Sequence, residues 1–221
     1  MCGHLQYKPT QLSAEQLIDL LTEYRKIIPL IHAGEYYPGS TVDILVADQE
    51  PRVVPATWWF LLGADGKPNY KYATFNARRL DGRMWHEPIR TSRCVVLATA
   101  FGESIGEGKT KRSYLLEGDE IFLLGGLYRH YQTDAGPRTG FTVITRDPHP
   151  RLSKYHDKAC PLFLPTDPDV VHEWLDPNVS ASPLIQDLLD HPKLPTRFTV
   201  TPVKSTKKLE QVGPVEILDA D

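Results

Sequence analysis

The apolar positions change period several times along the chain, and those changes divide it into elements. Leu17, Leu20, Leu21, Tyr24, Ile27 and Ile28 recur at helical spacing. Ser13-Ala14-Glu15-Gln16 precedes them as a capping box, with Ser13 as N-cap and Gln16 at N3, and Pro29 stops the run. The spacing predicts one amphipathic helix whose stripe is core. Residues 32–40 read as a loop rich in Gly and Pro. Strands are predicted over 41–47 and 52–54, split by the polar turn Asp48-Gln49-Glu50. Trp58-Trp59-Phe60-Leu61-Leu62 predicts a buried strand closed by a turn over 63–67, with one Trp in the core and Trp59 offering a stacking surface.

Residues 71–80 begin apolar and end basic. Arg93-Cys94-Val95-Val96-Leu97-Ala98-Thr99 is apolar and β-branched, which predicts a central strand. It ends at Ala100-Phe101-Gly102-Glu103-Ser104, where a carboxylate meets the edge of the core. A charged turn over 107–112 follows, then a hairpin of 113–116 and 121–128 around Glu117-Gly118-Asp119, then a strand over 140–145. His156-Asp157-Lys158 lies at the centre of 152–164. Short helices are predicted over 167–175 and 182–189, and a last strand over 197–203. Many short strands and few helices define the class as α+β. The expectation is a single domain over 1–203, built on a mostly antiparallel, barrel-like sheet with a few peripheral helices. Residues 204–221 form a polar tail, expected to be loosely held.

Composition narrows the function classes. The chain has 221 residues and a net charge of −3, so any DNA-binding surface must be a local basic patch on a mildly acidic body. No run of about 18 apolar residues appears, which argues against a membrane span. The start lacks a basic segment followed by an apolar one, so no secretion signal is read and the location expected is cytoplasmic. Cys2, Cys94 and Cys160 make an odd count with no CxxC, arguing against a disulfide framework or a zinc site. Cys94 and Cys160 read as small buried hydrophobes. No metal and no cofactor is expected, and the chain is expected to be a monomer.

The candidate chemistry starts at Met1-Cys2-Gly3-His4. Removal of Met1 makes Cys2 the terminal residue, with an α-amine and a thiol whose free pKa values are roughly 8 and 8.5. Such a 1,2-aminothiol condenses with an aldehyde: the amine forms an imine and the thiolate closes a five-membered thiazolidine ring on it. Gly3 adds no side chain beside that terminus.

Four separated segments resemble the SRAP (SOS-response-associated peptidase) family, whose members capture abasic sites in single-stranded DNA. They are Met1-Cys2-Gly3-His4, Asn76-Ala77-Arg78, Arg93-Cys94 leading to Phe101-Gly102-Glu103-Ser104, and His156-Asp157-Lys158-Ala159-Cys160-Pro161. Gly126-Leu127-Tyr128 and Trp174-Leu175 are weaker echoes, and the order holds over about 1–203. The departures are His4 for Arg, Leu80 for Glu, Ser104 for Trp, and Ala159-Cys160 for Arg-Met. The resemblance implies a catalytic set of Cys2, Asn76, Glu103 and His156. It also implies DNA contacts by Gly3, His4, Trp59 and Arg78, with abasic single-stranded DNA as partner and a nucleoid-associated location in a bacterial or phage-type setting. Chemistry agrees with those roles. His156 suits proton shuttling at the sugar, Glu103 at a buried strand end suits general acid/base work, Asn76 can fix the terminus or a sugar oxygen, and Arg78 fits a phosphate. Taken singly, His156 reads as a surface histidine, Glu103 as a solvated charge and Asn76 as a turn residue.

The family name adds peptidase chemistry, with self-cleavage releasing Met1 by the same Cys2 as its expected form. A glutamine amidotransferase also begins Met-Cys-Gly, but the Asn-Gly-Glu-type segment of that class, with the Gly-Asp element that follows it, is not found here. A non-catalytic DNA-binding relative is the third class.

Overall fold

The computed structural model describes residues 3–221. In order the chain runs β1 (Leu5–Tyr7), α1 (Gln11–Leu20), β2 (Gly34–Tyr36), β3 (Thr41–Val46), β4 (Arg52–Thr57), β5 (Asn76–Ala77), α2 (Pro88–Thr91) and β6 (Arg93–Ile105). It continues through β7 (Arg112–Thr133), β8 (Gly136–Arg146), β9 (Cys160–Pro161), β10 (Phe163–Leu164), α3 (Pro168–Leu175), α4 (Pro183–Asp190), β11 (Phe198–Ser205), β12 (Lys208–Gln211) and β13 (Glu216–Leu218). The result is one α+β domain on a large, mostly antiparallel sheet. Its strands follow the order β12-β11-β7-β8-β4-β3-β6-β1-β2, and β6 also pairs with β7. That extra pairing makes a ring. Two of its contacts, β4 with β8 and β3 with β6, rest on single residue pairs, Thr57 with Gly140 and Leu45 with Val95. The ring is therefore not a clear barrel.

Period-2 alternation explains why the central strands are apolar without a break. Cys94, Val96 and Ala98 of β6 face one core, with Leu116, Phe122 and Leu124 of β7. Val95 and Leu97 face the other, with Leu123, Leu127 and the inner sides of α1, α3 and α4. Both faces of the sheet are covered, so neither face of these strands needs polar residues.

Several expected elements take another form. The first helix starts three residues early, because the Thr10 side chain accepts from the Ser13 N–H at 3.1 Å and takes the N-cap place expected of Ser13. It stops at Leu20, and Tyr24 and Ile28 continue its buried face in two short 3₁₀ turns. Trp58, Trp59, Phe60 and Leu62 are buried, but residues 58–62 are not a strand. The Trp58 and Phe60 N–H groups donate to the Ser40 and Thr74 carbonyls, and the Leu61 N–H donates to the Thr74 hydroxyl. The hairpin expected at Glu117-Gly118-Asp119 is a bulge within one 22-residue strand, where the register jumps between Ala98–Phe122 and Ala100–Glu117. No residue there has positive φ, which a two-residue hairpin turn requires. The turn that does reverse the chain, between β7 and β8, ends at Gly136 with φ 89°. Helices α3 and α4 form as expected, capped by Asp167 and Ser182. Residues 204–221 are not a loose tail, because β12 and β13 both pair with β11 and Leu218 is buried.

Candidate active site

Strand alternation carries a carboxylate into the core. Phe101 and Glu103 are two residues apart on β6 and share a face. Phe101 sits in an aromatic cluster with Phe122, Phe163 and Phe198. Glu103 is 4% exposed, and burial, which penalises the charged form, pushes its carboxyl up to about 7. His156 lies beside it, with Nδ1 3.3 Å from Glu103 Oε2 and 2.8 Å from the Ser104 carbonyl oxygen. A carbonyl oxygen only accepts, so in the neutral ring Nδ1 carries the proton and Nε2 the lone pair. Burial lowers the His156 pKa from its ordinary value, which leaves the ring neutral at pH 7. A carboxyl divided between its two forms thus sits against a neutral imidazole. That pairing suits proton transfer near neutrality.

The elements around His156 hold it there. The Tyr155 and His156 N–H groups both donate to the Leu152 carbonyl, closing the turn after Pro150–Leu152. The Tyr155 ring packs edge-on against Tyr114 of β7, 5.1 Å between centroids. Its hydroxyl donates to Glu216 of β13 at 2.9 Å, and Lys154 pairs with the same carboxylate. The C-terminal strands thus buttress the histidine.

Glu103, Ser104 and His156 open onto a cavity of about 520 Å³, also lined by Gly3, Phe75 and Lys111. Asn76 is the next residue after Phe75, on β5 beside Val143. Cys2 lies outside the described residues, so its expected role carries no geometry here, and Gly3 next to it is the described residue of that motif on the cavity wall.

The expected DNA contacts are arranged differently. His4 is fully buried: Nε2 is 3.0 Å from Glu35 Oε1, and the ring stacks on Tyr37 at 4.9 Å. It faces the protein and supports the wall behind the cavity. Gly102 makes room for it, since a Cβ on Gly102 would lie 2.7 Å from His4 Nδ1. Trp59 is 7% exposed, donates to the Asn69 carbonyl and packs on Tyr70 and Phe75, so it offers no open stacking face. The exposed aromatics of this region are Tyr70 and Tyr72. Arg78 lines a separate open cavity of about 830 Å³ and pairs with Asp147 at 3.0 Å.

The sequence reading passed over Glu35, Tyr37 and Glu216. No spacing ties them to the site: Glu35 and Glu216 reach it through sheet pairing, and Tyr37 directly follows β2. Glu103 did leave a signal: Phe101, Glu103 and Ile105 occupy one face of a strand, with a carboxylate where an apolar residue belongs. Of the departures, Ser104 shares a hydrogen bond with Ser113 at 2.9 Å, and Ala159 and Cys160 are buried. Cys94 and Cys160 are core residues whose thiols burial pushes upward, Cys160 to about 12.

The ring-forming sheet and the buried carboxyl–imidazole pair define a particular class of α+β protein. The chain belongs to the SOS response associated peptidase (SRAP) family, whose model matches residues 1–208. A segment of 110 residues is 28% identical to the abasic site processing protein YMR114C of Saccharomyces cerevisiae. That match covers 48% of this chain and 29% of the yeast protein, so the chain spans less than a third of that relative's length. Two solved structures share the fold. A phage-related protein from Bordetella bronchiseptica gives a TM-score of 0.66 at 23% identity, covering 95% of this chain and all of that one. A protein from Bacteroides thetaiotaomicron gives 0.63 at 20% identity, covering 92% of each. Among the described residues no helix is long and apolar enough to cross a membrane.

Proposed function

We propose that this chain binds single-stranded DNA and captures abasic sites covalently through Cys2 once Met1 is removed. The observation that carries the reading is the buried Glu103–His156 pair, in a cavity that Gly3 also lines, within a family that includes a yeast protein named for abasic site processing. An abasic deoxyribose interconverts between a closed hemiacetal and an open aldehyde. His156 Nε2 takes the anomeric hydroxyl proton and returns it to the ring oxygen, which opens the sugar. The Cys2 amine adds to the aldehyde carbon, and the carbinolamine loses water to give an iminium ion. Protonated Glu103 supplies the proton that lets hydroxide leave as water. The Cys2 thiol gives its proton back to Glu103, the thiolate attacks the iminium carbon, and the C=N electron pair returns to nitrogen as the C–S bond forms. The net change is one thiazolidine formed and one water released. Asn76 holds the terminus or a sugar oxygen, Arg78 contacts a phosphate, and stacking passes from Trp59 to Tyr70 and Tyr72.

Release of Met1 by the same Cys2 is the peptidase activity this site would support. The test is intact mass after incubation with abasic single-stranded DNA. The expected product is protein lacking Met1 plus oligonucleotide less one water, absent from Cys2→Ala. A heat-stable, unreduced adduct in Cys2→Ala would exclude the thiazolidine. No glutaminase activity is expected.

A further inference from the structure

Four arginines, Arg78, Arg79, Arg90 and Arg146, line the cavity of about 830 Å³ against two carboxylates, Asp81 and Asp147. Among the described residues only Arg78 and Arg146 are drawn into ion pairs, Arg78 with Asp147 at 3.0 Å and Arg146 with Asp190 at 3.9 Å. Arg146 is fixed further by donation from Nε to the Leu189 carbonyl at 2.5 Å. Arg79 and Arg90 are exposed. A net-acidic chain that gathers four guanidiniums around one hollow concentrates positive potential there, and guanidinium forks match phosphate oxygens. Ser182, the N-cap of α4, and Gln186 within it line the same hollow with uncharged hydrogen-bonding groups.

The position of this hollow says what would occupy it. Phe75 lines the Glu103–His156 cavity and Arg78 lines the basic one, three residues further on. The short strand β5 therefore joins the two sites, spanning about 10 Å at strand rise. We infer that the basic cavity formed by Arg79, Arg90 and Arg146 beside α4 is a second phosphodiester site. It holds the backbone of the same single strand one or more nucleotides from the abasic sugar. This rests on the reading of the chain as a single-strand binder. It extends the contact surface from one phosphate at Arg78 to a track along α4, which accommodates strong phosphate contacts on a protein of net charge −3.

The experiment is fluorescence anisotropy of the full chain over a salt series, on an undamaged 4-mer and an undamaged 20-mer, with mononucleotide as competitor. The variants are Arg79→Gln, Arg90→Gln and the double substitution, with folding checked by circular dichroism. On the 20-mer the double variant is expected to flatten the slope of log affinity against log salt by roughly 1.4, at about 0.7 per phosphate contact. On the 4-mer, long enough to bridge the roughly 10 Å between the cavities, the double variant is expected to flatten the slope by about as much. An unchanged slope on the 20-mer overturns the second site and leaves the single-strand reading standing. Wild-type protein that binds neither oligonucleotide overturns both. Mononucleotide that binds as tightly as the 20-mer, and is lost in the double variant, makes the hollow a nucleotide pocket and overturns the strand track.

Discussion

Strand β6 carries a buried charge at each end, and the two are treated in opposite ways. At its start, Arg93 is 2% exposed, and its guanidinium donates to the carbonyls of Ile89, Arg90, Trp174, Asp176 and Val179 at 2.5–2.9 Å. Five N–H donors meet five backbone acceptors, tying α2 and the end of α3 to the sheet. Burial still lowers the Arg93 pKa to about 10, far above any working pH, so the group stays charged. At the other end, Glu103 is equally buried, but its pKa of about 7 falls within the working range and its neighbour is a histidine. Burial alone does not mark a functional charge. What separates the two is whether the protein fixes the protonation state or leaves it able to change.

The largest effect should follow from breaking the fixed end. Arg93→Met leaves carbonyls at the ends of α2 and α3 without their donors, so a loss of about 3–5 kcal/mol is expected in a denaturant titration. Arg93→Lys should recover only part, because an ammonium has three donors and no fork. A loss below about 1 kcal/mol would mean that water replaces the guanidinium. At the changeable end the same kind of edit should do the reverse. Glu103 has a folded pKa above its ordinary value, so its contribution is fully present below about pH 4.5 and is lost as pH rises through about 7. The loss is up to about 3 kcal/mol by linkage. Glu103→Gln removes that dependence, so the variant should melt higher than wild type at pH 8 and show little gain at pH 5. It should also capture abasic DNA about 100- to 10,000-fold more slowly. A variant destabilised at pH 8 would show that the carboxylate, like Arg93, serves structure.

Gly102 sharpens the comparison from the side. An alanine there meets the His4 ring, so Gly102→Ala should cost about 1–3 kcal/mol. Combining it with His4→Ala should cost less than the sum of the two single changes. Full additivity would mean that the added methyl does not meet the His4 ring. The smallest effect belongs to Arg78, whose pair with Asp147 is exposed. Arg78→Ala should change stability by less than about 0.5 kcal/mol while flattening the salt slope by roughly 0.7.

How much of this could be read from the residues follows the range of each interaction. Helices α3 and α4 were legible because Asp167 and Ser182 cap them locally. The run from Cys94 to Ala98 declared a central strand because both of its faces are covered. The bulge at Gly118 looked like a hairpin, since turn composition does not state the sign of φ. Trp58 and Phe60 looked like strand residues, since burial and strand pairing leave the same apolar trace. Within the candidate site, Glu103 and His156 came from motif and alternation, and the structure brings them together. The inward turn of His4 depends on Glu35 and Tyr37, some thirty residues away, and on a missing side chain at Gly102. Neither relation is local, so neither was visible. The same holds for β13 behind Tyr155, where polar composition suggested a loose tail and sheet pairing made a buttress.

The claim that Glu103 works through a changeable proton is tested most directly by the rate of single-turnover capture against pH. A short abasic oligonucleotide would be used with wild type, Glu103→Gln and His156→Ala. Wild type should show an inflection near pH 7. His156→Ala should be slower at every pH and keep that inflection, and Glu103→Gln should lose it while giving an adduct of unchanged mass. An inflection near pH 7 that survives Glu103→Gln would contradict the account.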